Sequence, residues 1–160
     1  MKQREFTIHF TEYERLDELS EQQANLVKRA IDSAKHAYAP YSAYRVGAAL
    51  LLGNGEIVTG NNQENAAYPS GLCAERVAIF YAGANYPEVP INMIAVTAIQ
   101  NGDLQEEPVS PCGGCRQVML EKENQGKTPM EVILYGTKRI QVLKQATDLL
   151  PLPFSLASKH

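Results

Sequence analysis

The sequence predicts an α/β fold, a three-layer α/β/α sandwich around a mixed sheet. Two patterns carry the prediction: an early hairpin signature, followed by alternating helix-like and strand-like segments. A third adds function to form, since the cysteines fall where predicted strands give way to predicted helices, which is where such folds gather their sites. A chain of 160 residues with 44% hydrophobic content suits one domain whose core needs neither disulfide nor metal to hold it.

Along the chain, Phe6, Ile8 and Phe10 alternate and predict a short strand in an N-terminal extension, residues 1–19, ahead of a main domain over 20–160. Ser20 with Gln23 has the form of a capping box. Val27, Ala30, Ile31, Ala34 and Tyr38 then recur at helical spacing until Pro40, which places a first helix over 20–38. Residues 44–52 are apolar and strand-like. Gly53-Asn54-Gly55 supplies turn residues tolerant of positive φ before Ile57 and Val58 resume the extended pattern, completing a hairpin.

Residues 60–71 form a polar loop, and a second helix runs from Cys73 to about residue 84, ending before Pro87. A buried strand over 91–99 follows, then a loop to Pro111, then a third helix over 112–123 with Pro111 just outside its start. Residues 132–135 make another short strand, and Ile140-Gln141-Val142 an edge strand. A short helical stretch closes the pattern before Pro151 and Pro153. No internal repeat or low-complexity linker interrupts it.

The net charge is −3, with no broad positive field to gather a polyanion, so long nucleic acids are excluded as partners. No apolar run approaches the roughly 20 residues that cross a bilayer, and Met1 to Glu5 lack a secretory leader. A cytoplasmic protein without membrane contact is expected. Three cysteines are an odd number for a disulfide framework, and in a reducing compartment they suit a metal better.

Cys112 and Cys115 stand three residues apart at a helix start, so both sulfurs can face one point. Cys73 opens another helix, where the N-terminus favours the thiolate that binds zinc. Three protein ligands with one position left for water describe a catalytic zinc; a structural zinc takes four. His9, His36 or His160 would have to close a structural site, and none neighbours a cysteine. Three unmetallated core thiols are the other alternative, which leaves the Pro111-Cys112-Gly113-Gly114-Cys115 spacing unexplained. Glu75, two residues after Cys73, is placed to shuttle protons on the open side of the metal; the bland alternative is a glutamate that complements the helix dipole.

Cys73-Ala74-Glu75-Arg76 followed by Pro111-Cys112-Gly113-Gly114-Cys115 resembles the signature of the zinc nucleoside and nucleobase deaminases. Within that superfamily the chain is similar to the small homotetrameric cytidine deaminases of three-cysteine type, from about residue 24 to 154. The likeness extends through Ala37 to Ser42, Val46 to Leu50, Asn62 to Tyr68, and Leu149-Leu150-Pro151 with Phe154.

The resemblance implies a cytidine deaminase-like fold over 20–160 and hydrolytic deamination of cytidine and deoxycytidine in pyrimidine salvage. It implies one Zn2+ per subunit on Cys73, Cys112 and Cys115, with Glu75 as proton shuttle. Asn62 and Glu64 would hold the ribose, and Tyr44 would take the place of an aromatic, usually Phe, packed on the pyrimidine. Arg76 would donate to a ligand sulfur and offset the formal −1 charge of three thiolates on zinc. Main-chain amides at Ala74 and near Ser110 would orient the base. A homotetramer is implied too, with Tyr68 and Phe154 reaching a neighbour's site. Without the resemblance, Asn62 and Glu64 read as turn residues, Arg76 as an exposed helix arginine and Phe154 as a local core aromatic. A nucleotide substrate is disfavoured because residues 61–71 contain no Arg or Lys to cradle a phosphate.

Overall fold

The capping box at Ser20 forms as its sequence predicts. In the computed structural model, which describes residues 1–156, Ser20 Oγ accepts from the Gln23 amide at 3.2 Å and Gln23 Oε1 accepts from the Ser20 amide at 3.0 Å. Helix α1 (Glu21–Ala34) follows, and it stops short of the predicted residue 38. Beyond it the chain turns to extended pairing: the Tyr38 amide donates to Asn62 O at 3.0 Å, and the Glu64 amide donates to Tyr38 O at 2.9 Å. Those two bonds replace the last helical turn.

Strands β2 (Tyr44–Leu52) and β3 (Ile57–Asn61) form the expected hairpin, with Gly55 at φ 89° in the turn. Helix α2 (Ala74–Asn85), strand β4 (Ile91–Gln100), helix α3 (Gly113–Gly126) and strand β6 (Glu131–Tyr135) lie close to their predicted spans. A two-residue strand β5 (Asp103–Leu104) folds back on β4.

Further expectations need correction. Residues 1–10 form no strand; strand β1 lies just beyond them at Thr11–Tyr13, because pairing with β7 (Ile140–Leu143), not local alternation, decides where the extended segment is fixed. For the same reason β7 is not an edge. The order is β1-β7-β6-β4-β2-β3, and β1 covers its outer side. The expected last helical stretch is a short 3-10 turn, Ala146–Leu149.

Among the strands of the described residues only β4 and β6 pair in parallel, and α3 lies in the connection between them, as a parallel pair requires. Alternation along β2 then builds the layers. Ala48, Leu50 and Leu52 pack with Ala78 and Ile79 of α2 and Met119 of α3, whereas Ala49 and Leu51 pack with Leu26, Val27 and Ala30 of α1. Leu50 and Leu52 are essentially fully buried, each such side chain contributing about 1.5–3 kcal/mol. The three layers are those the sequence predicts.

Glycine sets the spacing of those layers at two places. A Cβ at Gly60 of β3 would sit 2.6 Å from both Ala74 O and Ala78 N of α2, and one at Gly47 of β2 would sit 2.5 Å from Ala34 N of α1. Hydrogen side chains let each helix lie directly on the strand. Among the described residues no helix is long and apolar enough to cross a membrane.

Candidate active site

Cys73 is the residue that caps α2, and Cys112 the residue that caps α3, so both side chains leave the backbone where helix dipoles favour negative charge. Cys115 sits on the first turn of α3. The three sulfurs converge: Cys73 Sγ lies 3.8 Å from Cys112 Sγ, Cys112 Sγ lies 3.5 Å from Cys115 Sγ, and all three are within 4.8 Å of one another. Cys115 is buried, Cys73 half-buried and Cys112 exposed, so the cluster has a closed side and an open one.

Arg76 Nη2 donates to Cys73 Sγ at 3.5 Å. The hydrogen bond from Cys115, aided by Arg76 and Cys112, brings the Cys73 thiol down to about 5 against the opposing effect of burial. Cys115, as donor in that pair and buried beside Glu75, is pushed far up. Arg76 Nε is buried and has no hydrogen-bond partner among the described residues.

Glu75 lies on the first turn of α2, only 4% exposed, at the floor of a cleft of about 680 Å³ that also reaches Cys73, Arg76 and Cys112. Burial pushes its carboxyl up from the ordinary range, and the neighbouring Cys73 charge adds to the rise. A carboxyl so placed, with its affinity for protons raised, is suited to take and give a proton at this site.

Tyr44, Asn62, Glu64 and Tyr68 all line the same cleft. Asn62 is already engaged: its Oδ1 accepts from the Val46 amide at 2.7 Å and its Nδ2 donates to Tyr44 O at 2.9 Å, extending the β2 edge by one side-chain rung. One amide hydrogen and one lone pair are left for a ligand. Glu64 accepts from the Tyr41 amide at 2.8 Å, from the Ser42 amide at 3.3 Å and from the Ser42 hydroxyl. Those bonds, the Ser42 hydroxyl foremost, hold its carboxyl below the usual range.

Ala74 sends its side chain into the core and only its backbone faces the helix start. Ser110 lines the cleft. Tyr68 stands 77% exposed, edge-on to Tyr41 at 6.1 Å between ring centres. Phe154 lies away from this cleft, beside Gln117, Val118 and Glu121 of α3, and is 71% exposed, so it is no local core aromatic.

Leu72 and Val109 also line the cleft without any role read from sequence. Val109 did carry a signal, an apolar residue in a polar loop just ahead of Pro111. Neither His9 nor His36 joins the sulfur cluster, and His160 lies outside the described residues.

A family comparison decides what this arrangement belongs to. The family described as cytidine and deoxycytidylate deaminase zinc-binding region matches residues 20–128. The chain belongs to that deaminase family. A cytidine deaminase of Halalkalibacterium halodurans is 45% identical over 96 residues, 60% of this chain and 68% of that protein. One of Mycobacterium tuberculosis is 39% identical over 92 residues, 58% of this chain and 65% of that protein. The crystal structure of a Burkholderia pseudomallei cytidine deaminase superposes with a TM-score of 0.71 at 39% identity, covering 85% of this chain and 100% of that one.

The residues fit the zinc that defines this deaminase family. Sulfurs on a tetrahedral zinc at about 2.3 Å stand roughly 3.8 Å apart, against the 3.8 and 3.5 Å found here. Cys73, Cys112 and Cys115 would hold the ion, and no fourth His, Cys, Asp or Glu joins them among the described residues. The donor set is that of a catalytic site with one open position.

Proposed function

We propose that the protein hydrolyses cytidine and deoxycytidine to uridine and deoxyuridine plus ammonia, serving pyrimidine salvage with one zinc per subunit. The observation that carries the reading is the buried Glu75 beside three convergent sulfurs in a cleft of about 680 Å³, roomy enough to admit a nucleoside. When bound, zinc supplies the Lewis acidity that makes water nucleophilic near neutral pH.

Glu75 takes the proton released by that water and gives it to N3 of the cytosine, which lowers the resistance of C4 to attack. After the water oxygen has bonded to C4, Glu75 carries the remaining hydroxyl proton to the exocyclic nitrogen. The C4–N bond then breaks, ammonia leaves and the C4 carbonyl of a uracil remains. Its raised affinity for protons suits both directions of transfer. Arg76 draws negative charge from Cys73, which keeps the three-thiolate site from becoming too electron-rich.

Tyr44 offers its ring face to the pyrimidine, and backbone amides at Ala74 and Ser110 orient the base. The spare hydrogen and lone pair of Asn62 meet the ribose hydroxyls. Glu64 serves the same sugar while it anchors the turn at Tyr41 and Ser42. The exposure of Tyr68 and Phe154 supports a homotetramer in which each reaches a neighbour's site. The catalytic domain spans 20–160, with 1–19 as an extension. A cytoplasmic enzyme of free nucleosides, with no nucleic acid partner, agrees with a net charge of −3.

Ammonia release from cytidine, cytidine monophosphate and guanine, followed in parallel with zinc-loaded protein, tests the reading. Release from cytidine alone is expected. Release only from the nucleotide or the purine would overturn the pocket assignment, and none from any substrate would leave the centre a structural zinc.

A further inference from the structure

Arg116 directly follows the buried Cys115 on α3, and among the described residues no carboxylate pairs with it. Its guanidinium instead spans two carbonyls from distant parts of the chain. Nε donates to Pro111 O at 2.8 Å, and Nη1 donates to Leu149 O at 3.1 Å. The first carbonyl belongs to the peptide that leads into Cys112, so the bond fixes the plane from which that side chain departs. The second ends the turn Ala146–Leu149, after which the chain runs out to Phe154.

The other end of that turn is also held from α3. Glu123, 8% exposed, accepts from the Ala146 amide at 2.7 Å, the Thr147 amide at 3.3 Å and the Met130 amide at 2.8 Å. Arg116 and Glu123 are about two helical turns apart, hence on one face. Gln117 Nε2 donates to Phe154 O at 2.9 Å. The helix that carries two of the three sulfurs therefore grips the C-terminal segment at three points, and of the three residues Arg116 alone also holds the peptide ahead of Cys112.

We infer that Arg116 is a positioning residue that locks the Cys112 side of the sulfur cluster to the C-terminal segment, so that ligand geometry and the placement of residues 146–154 are set together. The inference rests on the deaminase reading for its kinetic consequence, since Phe154 is there assigned to a neighbour's site. A planar fork can reach two carbonyls at once, and a lysine ammonium on a flexible stem does not hold both in a fixed geometry.

The test uses Arg116→Met, which keeps an apolar stem, with Arg116→Lys and Gln117→Ala beside it. Zinc release to a chelator and amide exchange over residues 146–150 are read on the zinc-loaded proteins. Arg116→Met is expected to release zinc about tenfold faster or more, in the range seen for lost outer-shell partners, and to exchange faster over 146–150. Arg116→Lys falls between it and the parent, and Gln117→Ala, which frees Phe154 alone, leaves both readouts unchanged.

Faster zinc release with unchanged exchange, or the converse, would overturn the coupling, as would a Gln117→Ala protein that loses zinc like Arg116→Met. If Arg116→Met fails to fold, Arg116→Lys decides by the same pair of readouts. A parent protein that releases no ammonia from cytidine defeats the deaminase reading and leaves these two measurements to decide the coupling.

Discussion

Gly60→Ala places a methyl group where α2 lies on β3. The new Cβ would stand 2.6 Å from Ala74 O and Ala78 N and 3.0 Å from Ala78 Cβ, all on the helix that carries Glu75 and Arg76. Ordinary contact begins near 3.4 Å, so the helix start must retreat by about 0.8 Å. Strain of this kind costs about 1–3 kcal/mol, or about 2–4 °C of Tm per kcal/mol for a domain of this size. A shift near 1 Å at the reacting groups can cost about 10²-fold in rate.

Gly47→Ala is the control on the opposite face of the sheet. Its Cβ meets Ala30 O at 2.0 Å, Ala34 N at 2.5 Å and Ala34 Cβ at 2.9 Å on α1, across the sheet from the sulfurs, a tighter clash than at Gly60. Gly47→Ala is expected to lose the more thermal stability, read by calorimetry, and Gly60→Ala alone to lose most of its kcat/KM for cytidine. If Gly60→Ala keeps kcat/KM within about twofold of the parent while Gly47→Ala falls by about 10²-fold, strand-to-helix spacing does not set the active-site geometry.

Glu75→Gln should keep zinc and fold and lose activity by about 10²–10⁴-fold in ammonia release, the usual share of a proton-transferring group. In the metal-free protein a carboxyl whose folded affinity for protons is raised contributes stability below its unfolded range, and that contribution is lost as pH rises through the folded one. The urea midpoint of the parent should therefore fall relative to that of Glu75→Gln from acidic toward neutral pH, because the amide of the variant never takes a charge. Cys112→Ser, exposed, should abolish zinc binding by metal analysis with the metal-free stability held within about 0.5 kcal/mol. Cys115→Ser should lose zinc and stability together, because it buries a hydroxyl at a fully enclosed position. Arg76→Ala should lower kcat by about 10–100-fold with zinc retained at saturating metal, as for other partners of ligand atoms.

What could be read from sequence was whatever short-range chemistry fixes. The Ser20 cap, the turn at Gly55 and the apolar alternation of β2 depend on residues within a few positions of one another, and each is found where expected. The cysteine spacing was legible for the same reason, since the first turn of α3 alone brings Cys112 to Cys115. Long-range pairing was not. The alternation of Phe6, Ile8 and Phe10 is a real local pattern, yet β1 forms beside β7, about 130 residues away in sequence, and the partner decides. The early end of α1 has a similar cause in the pairing of Tyr38 with residues 62 and 64. Asn62 looked like a loop residue or a sugar ligand, and its bonds to β2 needed the fold to become visible. Arg116 and Glu123 carried no pattern at all; their partners Leu149 and Ala146 lie on the far side of β6 and β7 in sequence.

The parallel pairing of β4 with β6 requires a crossover, and α3 is that crossover. The segment that closes the sheet is thus the one that presents two sulfurs, while Cys73 is already fixed by the packing of α2 on β3. The topology that closes the sheet is thereby the one that brings the three sulfurs together. A change that shifts this crossover relative to α2 therefore acts on the spacing of the sulfurs as well as on the sheet.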